Sequence, residues 1–236
     1  MLKESAVPCA CLLLLVACGG TSQSSSSSSS GQVAADDGGA KVEKDAGLTT
    51  SRDQFAAGLK IFVTQAEFNG ALGGVAGAAK RCQAAADSVG LAGTFVAVLS
   101  DLKAGAFDAV PPTVDGPWYA NHYPTPAELN AAQPLEDGPE PLAFRNRAAL
   151  KGDPSRHIGF NEKAEDISRI SGSAALSYWT GAEAQGEPGK SNCVEWTSDG
   201  LESGKTGSVH TGPNSWITGL PIQCVYPRHL LCIQIK

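Results

Sequence analysis

The stretch that decides the fold begins Tyr178-Trp179-Thr180-Gly181 and ends Leu231-Cys232-Ile233. Between these two runs, aromatic residues, glycines and cysteines recur at short, irregular intervals and show no helical period. Such a pattern is typical of short strands and loops that disulfides hold together. The other marker positions in the stretch are Glu187-Pro188-Gly189, Cys193-Val194-Glu195-Trp196, Trp216 and Cys224. The last quarter of the chain therefore predicts a loop-rich β structure with covalent cross-links.

One helix and two strands are predicted upstream of this stretch. Residues 60–64 and 94–99 are rich in β-branched and aromatic side chains, which favour strands. From Gly74 to Val89 apolar residues recur at three- and four-residue spacing, which predicts a helix with Gly90 as its C-cap. The buried stripe of this helix is expected to contain Val75, Ala78, Ala79, Cys82, Ala85, Ala86 and Val89.

The segment from Lys103 to Ile170 is rich in proline. Proline lacks a backbone donor and fixes φ, so long regular elements are not expected there. We interpret the segment as a loop-rich insertion, with a short helix near residues 127–132. Its pattern does not predict where strands lie.

Length and charge limit the classes of function. The chain has 236 residues, which is room for one domain and a tail. Its net charge is −6, so it offers no basic surface for a polyanion, and nucleic acid is not an expected partner.

The N-terminus predicts export and a lipid anchor. Its apolar run is too short to span a bilayer and is typical of a signal peptide. Leu15-Val16-Ala17-Cys18 resembles the bacterial lipobox, which implies that residues 1–17 are removed and that Cys18 carries lipid. The alternative is an ordinary signal peptide cut nearby. Gly19 after the cysteine implies delivery to the outer membrane by analogy with bacterial sorting rules, and several acyl chains would make the anchor stable.

Residues 18–57 are interpreted as a tether. The serine run from Ser24 to Ser30 and the polar residues after it bury little apolar area, so we expect this segment to be disordered. The folded domain is then predicted to occupy residues 58–236.

Cysteine usage fits an exported protein. Of the seven cysteines, Cys9 and Cys11 lie in the signal and Cys18 is assigned to lipid. An even number remains, which predicts disulfides but allows three connectivities. A zinc site is not expected, because paired Cys-x-x-Cys spacing is absent. The remaining cysteines are Cys82, Cys193, Cys224 and Cys232.

The order of these features resembles the C-type-lectin-like domain: a strand, a cysteine-bearing helix, a Trp-x-Gly strand, a Glu-Pro loop, Cys-Val, a later tryptophan and a closing Cys-Ile strand. The opening motifs are closer still to bacterial lipoproteins with an endostatin-like domain of uncharacterised function. Those motifs are Phe62-Val63-Thr64, Glu67-Phe68-Asn69-Gly70, Leu72-Gly73-Gly74 and Ala76-Gly77-Ala78. The matching segments cover about residues 60–100 and 176–236.

This resemblance implies an α+β fold with one main helix against small antiparallel sheets, long loops and two disulfides. It also implies the nested pairs Cys82–Cys232 and Cys193–Cys224. On loop-closure entropy, the longer cross-link would stabilise the fold by about 4–5 kcal/mol.

Calcium-dependent sugar binding, the best known activity of C-type lectins, is not expected here. Gly189 and Ile217 stand where those lectins carry calcium ligands, and calcium requires six to eight oxygens. No metal or cofactor is therefore predicted. A weaker oxygen-rich ligand site in the loops remains open, as does the alternative that its members only form a solvated surface. The candidates are Glu183, Glu187, Asn192, Glu195 and Asp199.

Enzyme signatures are weak. Gly189-Lys190-Ser191 is similar to part of a phosphate-binding loop, but residues 192–196 after it are predicted to be a strand rather than the required helix. No nucleophile elbow, zinc helix or Cys–His pairing is present, so no enzyme activity is predicted. Trp179, Trp196 and Trp216 are expected in the core rather than on a binding platform.

We therefore expect a recognition or adhesion protein of the bacterial cell envelope. Loops tend to carry function on a rigid scaffold, so the binding surface is predicted in residues 182–219 and the ligand is a protein or a polysaccharide. Two alternatives stay open: an extracytoplasmic hydrolase on the same scaffold, and a purely structural envelope lipoprotein.

Overall fold

The computed structural model describes residues 58–122, 142–170, 177–209 and 214–236. These residues form an α+β domain with one main helix, an eight-stranded sheet and two disulfides. The predictions for Cys18, for the tether and for a short helix near residues 127–132 lie outside the described residues. Within the described ranges, none of the helices combines the length and the apolar character needed to cross a bilayer.

The regular elements alternate with long loops. The right-handed helices are α1 (Gly74–Ser88) and the single turn α2 (Ile167–Ile170), and short 3-10 turns cover Arg147–Lys151 and Ala184–Gly186. A single helical turn of left-handed conformation covers Cys193–Trp196. The strands are β1 (Leu59–Val63), β2 (Phe95–Ala97), β3 (Trp118–Ala120), β4 (Leu142–Phe144), β5 (Ser177–Trp179), β6 (Ser203–Ser208), β7 (Pro221–Gln223) and β8 (His229–Gln234).

The strands form one mixed sheet instead of the small antiparallel sheets that the resemblance implies. Its order is β4-β3-β1-β8-β5-β6-β7, and β2 also pairs with β8. The pairs β1–β3 and β5–β8 are parallel, and the other pairs are antiparallel. The final strand therefore lies at the centre, where it joins the first strand to the C-terminal strands.

Both faces of the sheet are buried at its central strands, β1 and β8. Along β1, Ile61 and Val63 belong to one core cluster and Phe62 to the other. In β8, Leu231 belongs to the cluster of Ile61, and Cys232 belongs to the cluster of Phe62. This is the two-residue period of a strand with an apolar layer on each side.

Helix α1 covers one of the two faces. Its residues Ala78, Cys82 and Ala86 are buried, as the predicted stripe requires, but Val89 is 37% exposed. The helix ends at Ser88, and Gly90 lies just past the cap residue with φ of 74°. Val89 is therefore outside the stripe, because the helix ends one residue before it.

The described parts of the loop-rich segment, residues 103–122 and 142–170, cover the other face, so the interpretation of these parts as an insertion was wrong. They supply β3 and β4 and much of the core cluster that contains Ile61 and Val63. The segment's buried residues in that cluster are Ala106, Phe107, Val110, Trp118, Ala143, Phe144, Leu150, Ile158 and Ile167. Without this layer the sheet face that carries Ile61 would be exposed to water.

The two disulfides join the pairs that the resemblance implies. Cys82–Cys232 links α1 to β8 across a sequence separation of 150 residues, with the two Cα atoms 5.5 Å apart. Cys193–Cys224 spans 31 residues, with the two Cα atoms 5.6 Å apart. The first cross-link fixes the helix on the sheet, and the second fixes the loop region.

Candidate functional site

The predicted ligand residues do not form one cluster. Glu183 is exposed and forms an ion pair with Lys205, which lies on β6. Glu187 is also exposed and lies 3.8 Å from the Nζ atom of Lys151. Asp199 is exposed on a separate loop. In the described ranges, no group of three or more His, Cys, Asp or Glu side chains is placed to hold a metal ion.

Asn192 and Glu195 do come together, at a left-handed turn formed by Cys193–Trp196. The φ angles of these residues are 52°, 54°, 55° and 61°. The amide of Trp196 donates to the carbonyl of Asn192 at 2.8 Å, so the turn has the hydrogen bond of an α-helix but a left-handed backbone. The prediction of a strand at residues 192–196 was therefore wrong.

This conformation is costly for L-amino acids. Each residue in a left-handed helix costs about 1–2 kcal/mol, and none of these residues is a glycine. The branched side chain of Val194 makes its positive φ especially unfavourable. The surrounding structure must therefore hold the turn in place.

Side-chain contacts on both flanks hold the left-handed turn. Asn192 is buried, and its Oδ1 accepts the amide of Glu195 at 3.1 Å while its Nδ2 donates to the carbonyl of Gly189 at 3.2 Å. The indole of Trp196 is fully buried beside Trp179, with ring centroids 5.8 Å apart. Asn192 is thus a structural cap, so its amide is not available as a ligand.

Two glycines make room for the disulfide of the left-handed turn. A Cβ atom at Gly70 would lie 2.4 Å from the Sγ atom of Cys193, and one at Gly204 would lie 2.7 Å from it. Both distances are shorter than Cβ contacts in real proteins. The sulfur therefore packs between two backbone segments that must lack side chains.

A cleft of about 470 Å³ lies beside the left-handed turn, and we call it the Val194 cleft. Val194 is 55% exposed, and the amide of Leu102 donates weakly to the carboxylate of Glu195 at 3.4 Å. The cleft thus combines two exposed aliphatic side chains with charged groups. The residues lining it include Leu102, Lys190, Asn192, Val194, Glu195 and Glu202.

A second, smaller cavity of about 240 Å³ contains Glu187. The guanidinium of Arg147 donates to the carbonyl of Val110 at 3.3 Å, and the ring of Phe107 stacks on Trp216 with centroids 5.7 Å apart. Its polar lining comes from Asp108, Arg147, Lys151, Gln185 and Glu187. Glu187 therefore belongs to a different site from Asn192 and Glu195.

Exposed apolar side chains concentrate on residues 194–226, which extend past the predicted binding surface of residues 182–219. We use the term loop region for residues 182–226. Leu201 is 76% exposed and Leu220 is 77% exposed, and the amide of Val225 donates to the carbonyl of Gly200 at 3.0 Å. This last contact brings Val225 next to the loop that carries Leu201. Of the described large apolar side chains that are exposed, all but Val89 and Leu102 lie between residues 194 and 226.

Glu202 in the Val194 cleft is not suited to act as the general acid of a glycosidase pair. A general acid in such a pair needs a raised pKa. A hydrogen bond from the Ser198 hydroxyl to Glu202, at 2.7 Å, instead lowers the pKa of Glu202. Glu202 is therefore held as an anion, which suits charge recognition.

Serine, aspartate and histidine also meet near α2, but in an order unsuited to nucleophilic catalysis. The hydroxyl of Ser168 donates to Asp166 at 2.6 Å, and His157 Nε2 lies 3.3 Å from the same oxygen. His157 Nδ1 faces the carbonyl of Val209 at 3.1 Å. Burial raises the pKa of Asp166, but the hydrogen bonds from Ser168 and His157 outweigh it and lower that pKa. A triad needs histidine between serine and aspartate, whereas here aspartate lies in the middle.

The tryptophans lie where the sequence predicts, but the left-handed conformation of Val194 was not predicted. Trp179, Trp196 and Trp216 are at most 1% exposed, so they fill the core as predicted. Val194 favours strands by residue type, and nothing in its neighbours marks a left-handed conformation. The one local signal is Asn192, a residue that often caps turns.

No family model matches the chain. A search of curated proteins likewise found no match. The resemblance to the C-type-lectin-like and endostatin-like domains therefore stays a prediction.

Proposed function

We propose that this protein is a recognition or adhesion protein of the bacterial cell envelope that binds a protein or polysaccharide ligand through its loop region. The domain is proposed to belong to the C-type-lectin-like and endostatin-like group. Cys18 would carry the lipid anchor at the outer membrane, and the serine-rich segment after it would hold the domain clear of the lipid. Support for the anchor comes from the lipobox-like Leu15-Val16-Ala17-Cys18.

The observation that carries the proposal is the concentration of exposed apolar side chains on the loop region. Exposed apolar residues are ordinary when scattered singly, but a concentration on one part of a surface is typical of an interaction site. Here these side chains include Val194, Leu201, Val225 and Tyr226. Their exposure has no stabilising role in the fold, so a binding role explains them better.

The scaffold supports the same conclusion. The loop region is fixed to the sheet by Cys193–Cys224 and by the buried indole of Trp196. A surface held rigid in this way loses little conformational entropy on binding. In the described ranges the tryptophans are buried, so they do not offer an aromatic platform of the kind that stacks on sugars, and the exposed aliphatic side chains favour a protein ligand.

An array of purified secreted proteins and glycans, probed with the purified full-length chain in detergent, tests the proposal. We expect the chain to bind a small subset of the spots, and we expect EDTA to leave this binding unchanged. A chain that binds no spot above background would contradict the recognition function. Binding that EDTA abolishes would show a calcium-dependent mechanism instead.

The anchor needs its own test. Labelling with radioactive palmitate in a bacterial host is expected to mark the wild-type chain and to leave the Cys18→Ala variant unmarked. Equal labelling of the two chains would contradict lipidation at Cys18.

A further inference from the structure

We propose that the Val194 cleft binds an extended peptide segment of a partner protein, in which a branched aliphatic side chain lies next to a lysine or arginine. This inference rests on the proposed recognition function and names the ligand class for one part of the loop region. The conformation of Val194, its exposure and the charges around it support this ligand class.

The conformation of Val194 is the first observation. Its φ of 54° and ψ of 62° place a β-branched residue in the left-handed region, where glycine and asparagine are favoured. A residue selected only for the stability of the turn would therefore be glycine or asparagine. The valine side chain must serve something other than the backbone conformation.

The exposure of Val194 is the second observation. The residue is 55% exposed, whereas its neighbours Cys193 and Trp196 are fully buried. The valine is thus not required to fill the core. A costly conformation that presents an apolar side chain to solvent is typical of a site that contacts a ligand.

The second wall of the cleft strengthens this argument. Leu102 is 56% exposed and lines the same cleft. Its position is fixed, because the Trp196 indole donates to the carbonyl of Ser100, two residues before Leu102, at 2.7 Å. Two aliphatic side chains on rigid segments provide a preformed place for one apolar anchor.

Charge complementarity selects the rest of the ligand. The cleft is lined by two carboxylates, Glu195 and Glu202, and by one ammonium group, Lys190. The lining therefore has a net negative charge, which favours a cationic side chain beside the apolar anchor. An acidic or neutral segment would gain less from these groups.

A displayed library of random seven-residue peptides, selected on the immobilised full-length chain in detergent, tests the inference. We expect enriched peptides to carry Val, Ile or Leu beside Lys or Arg. A selected peptide, made synthetically, should bind the Val194→Asn variant at least tenfold more weakly than wild type. Val194→Ile keeps a branched aliphatic side chain and should retain binding.

Val194→Asn separates a binding role from a structural one. Asparagine tolerates a positive φ, so the midpoint of thermal unfolding should stay the same or rise. A residue with only a structural role would change that midpoint and leave peptide binding unaltered. Glu202→Gln keeps the acceptor for Ser198 but removes the charge, and it should weaken binding several-fold and reduce its dependence on salt.

The inference is overturned if no peptide is enriched, if enriched peptides lack the aliphatic and basic pair, or if Val194→Asn binds as wild type does. Sedimentation that shows Val194-dependent self-association would assign the cleft to a second copy of this chain. Glycan binding that Val194→Asn abolishes would assign it to a polysaccharide. In either of these last two cases the peptide ligand is wrong, but the recognition function still holds. The recognition function also holds, without this ligand class, whenever the chain binds spots on the protein and glycan array.

Discussion

The indole nitrogen of Trp196 donates a hydrogen bond of 2.7 Å to the carbonyl oxygen of Ser100 in the protein interior. Val194 lies two residues before Trp196, and Leu102 lies two residues after Ser100. The amide of Ser100 in turn donates to the carbonyl of Thr180, just past β5, at 2.8 Å. These two hydrogen bonds therefore tie both aliphatic walls of the Val194 cleft to the end of β5, an inner strand of the sheet.

Trp196→Phe is expected to lower the free energy of unfolding by about 1–3 kcal/mol, because it leaves the buried carbonyl of Ser100 without its donor. Guanidinium chloride denaturation of the full-length chain measures this change. Leu201→Ser alters an exposed side chain and is the control, with an expected effect within about 0.5 kcal/mol. Equal stability of Trp196→Phe and wild type would show that the contact does not hold the left-handed turn.

Removal of the disulfide that closes the longer loop is expected to lower the free energy of unfolding more than removal of the other disulfide. On loop-closure entropy, replacing both Cys82 and Cys232 by alanine should cost about 5 kcal/mol, and replacing both Cys193 and Cys224 about 3.5–4 kcal/mol. Chemical denaturation of the two double variants gives both values. A smaller loss for the Cys82–Cys232 pair than for the other would mean that the entropy of the unfolded chain does not determine how much each disulfide stabilises the fold.

Gly204→Ala should destabilise the domain, although alanine normally reduces the entropy of the unfolded chain. The new Cβ atom would lie 2.7 Å from the Sγ atom of Cys193 and 2.9 Å from the ring of Trp179. We expect a loss of about 1–3 kcal/mol, as for other overpacked cores. Gly152→Ala is the matched control, since its Cβ atom would make an ordinary contact at 3.6 Å. Similar stabilities of the two variants would contradict the tight packing around the Cys193 sulfur.

Lys60 makes stability depend on pH above neutrality. Burial lowers the pKa of Lys60 from 10.5 to about 8. The unfolded chain therefore binds more protons than the folded chain between these values, so stability should rise as pH increases from 8. Burial also raises the pKa of Tyr119 above 10.0, which opposes the rise above pH 10. The effect of Lys60 on stability can therefore be measured between pH 8 and 10.

Urea denaturation of wild type and Lys60→Met at several pH values in this window tests the effect. Wild type should gain stability as pH rises, and the variant should gain less. Parallel curves for the two chains would show that Lys60 keeps its ordinary pKa in the folded state.

Elements with strong local patterns were predictable from the sequence. In β1 and β2, β-branched and aromatic side chains agree with the tertiary structure, and in α1 the helical spacing of Ala78, Cys82 and Ala86 marks the buried stripe. The tryptophans were also predictable as core, because no other side chains in this glycine-rich chain are as large. These features depend on local propensity or size, which a single sequence displays.

The rest depends on contacts between distant residues. β3 and β4 have three residues each and lie among prolines, so neither has a detectable period. The mixed pairing of the sheet places β8 between β1 and β5, which no local pattern encodes. The left-handed turn was missed because Val194 contradicts its own propensity. The disulfide, the buried indole of Trp196 and the side chain of Asn192 together hold the turn against that propensity.

The most direct test of the recognition surface compares three chains on the same protein and glycan array: wild type, the double variant Leu201→Ser/Tyr226→Ser, and Val89→Ser. All three should have similar midpoints of thermal unfolding, because each replaced side chain is exposed. We expect the double variant to lose at least tenfold in affinity for the spots that wild type binds, while Val89→Ser should bind as wild type does. Undiminished binding by the double variant, or an equal loss in Val89→Ser, would contradict a recognition surface on the loop region.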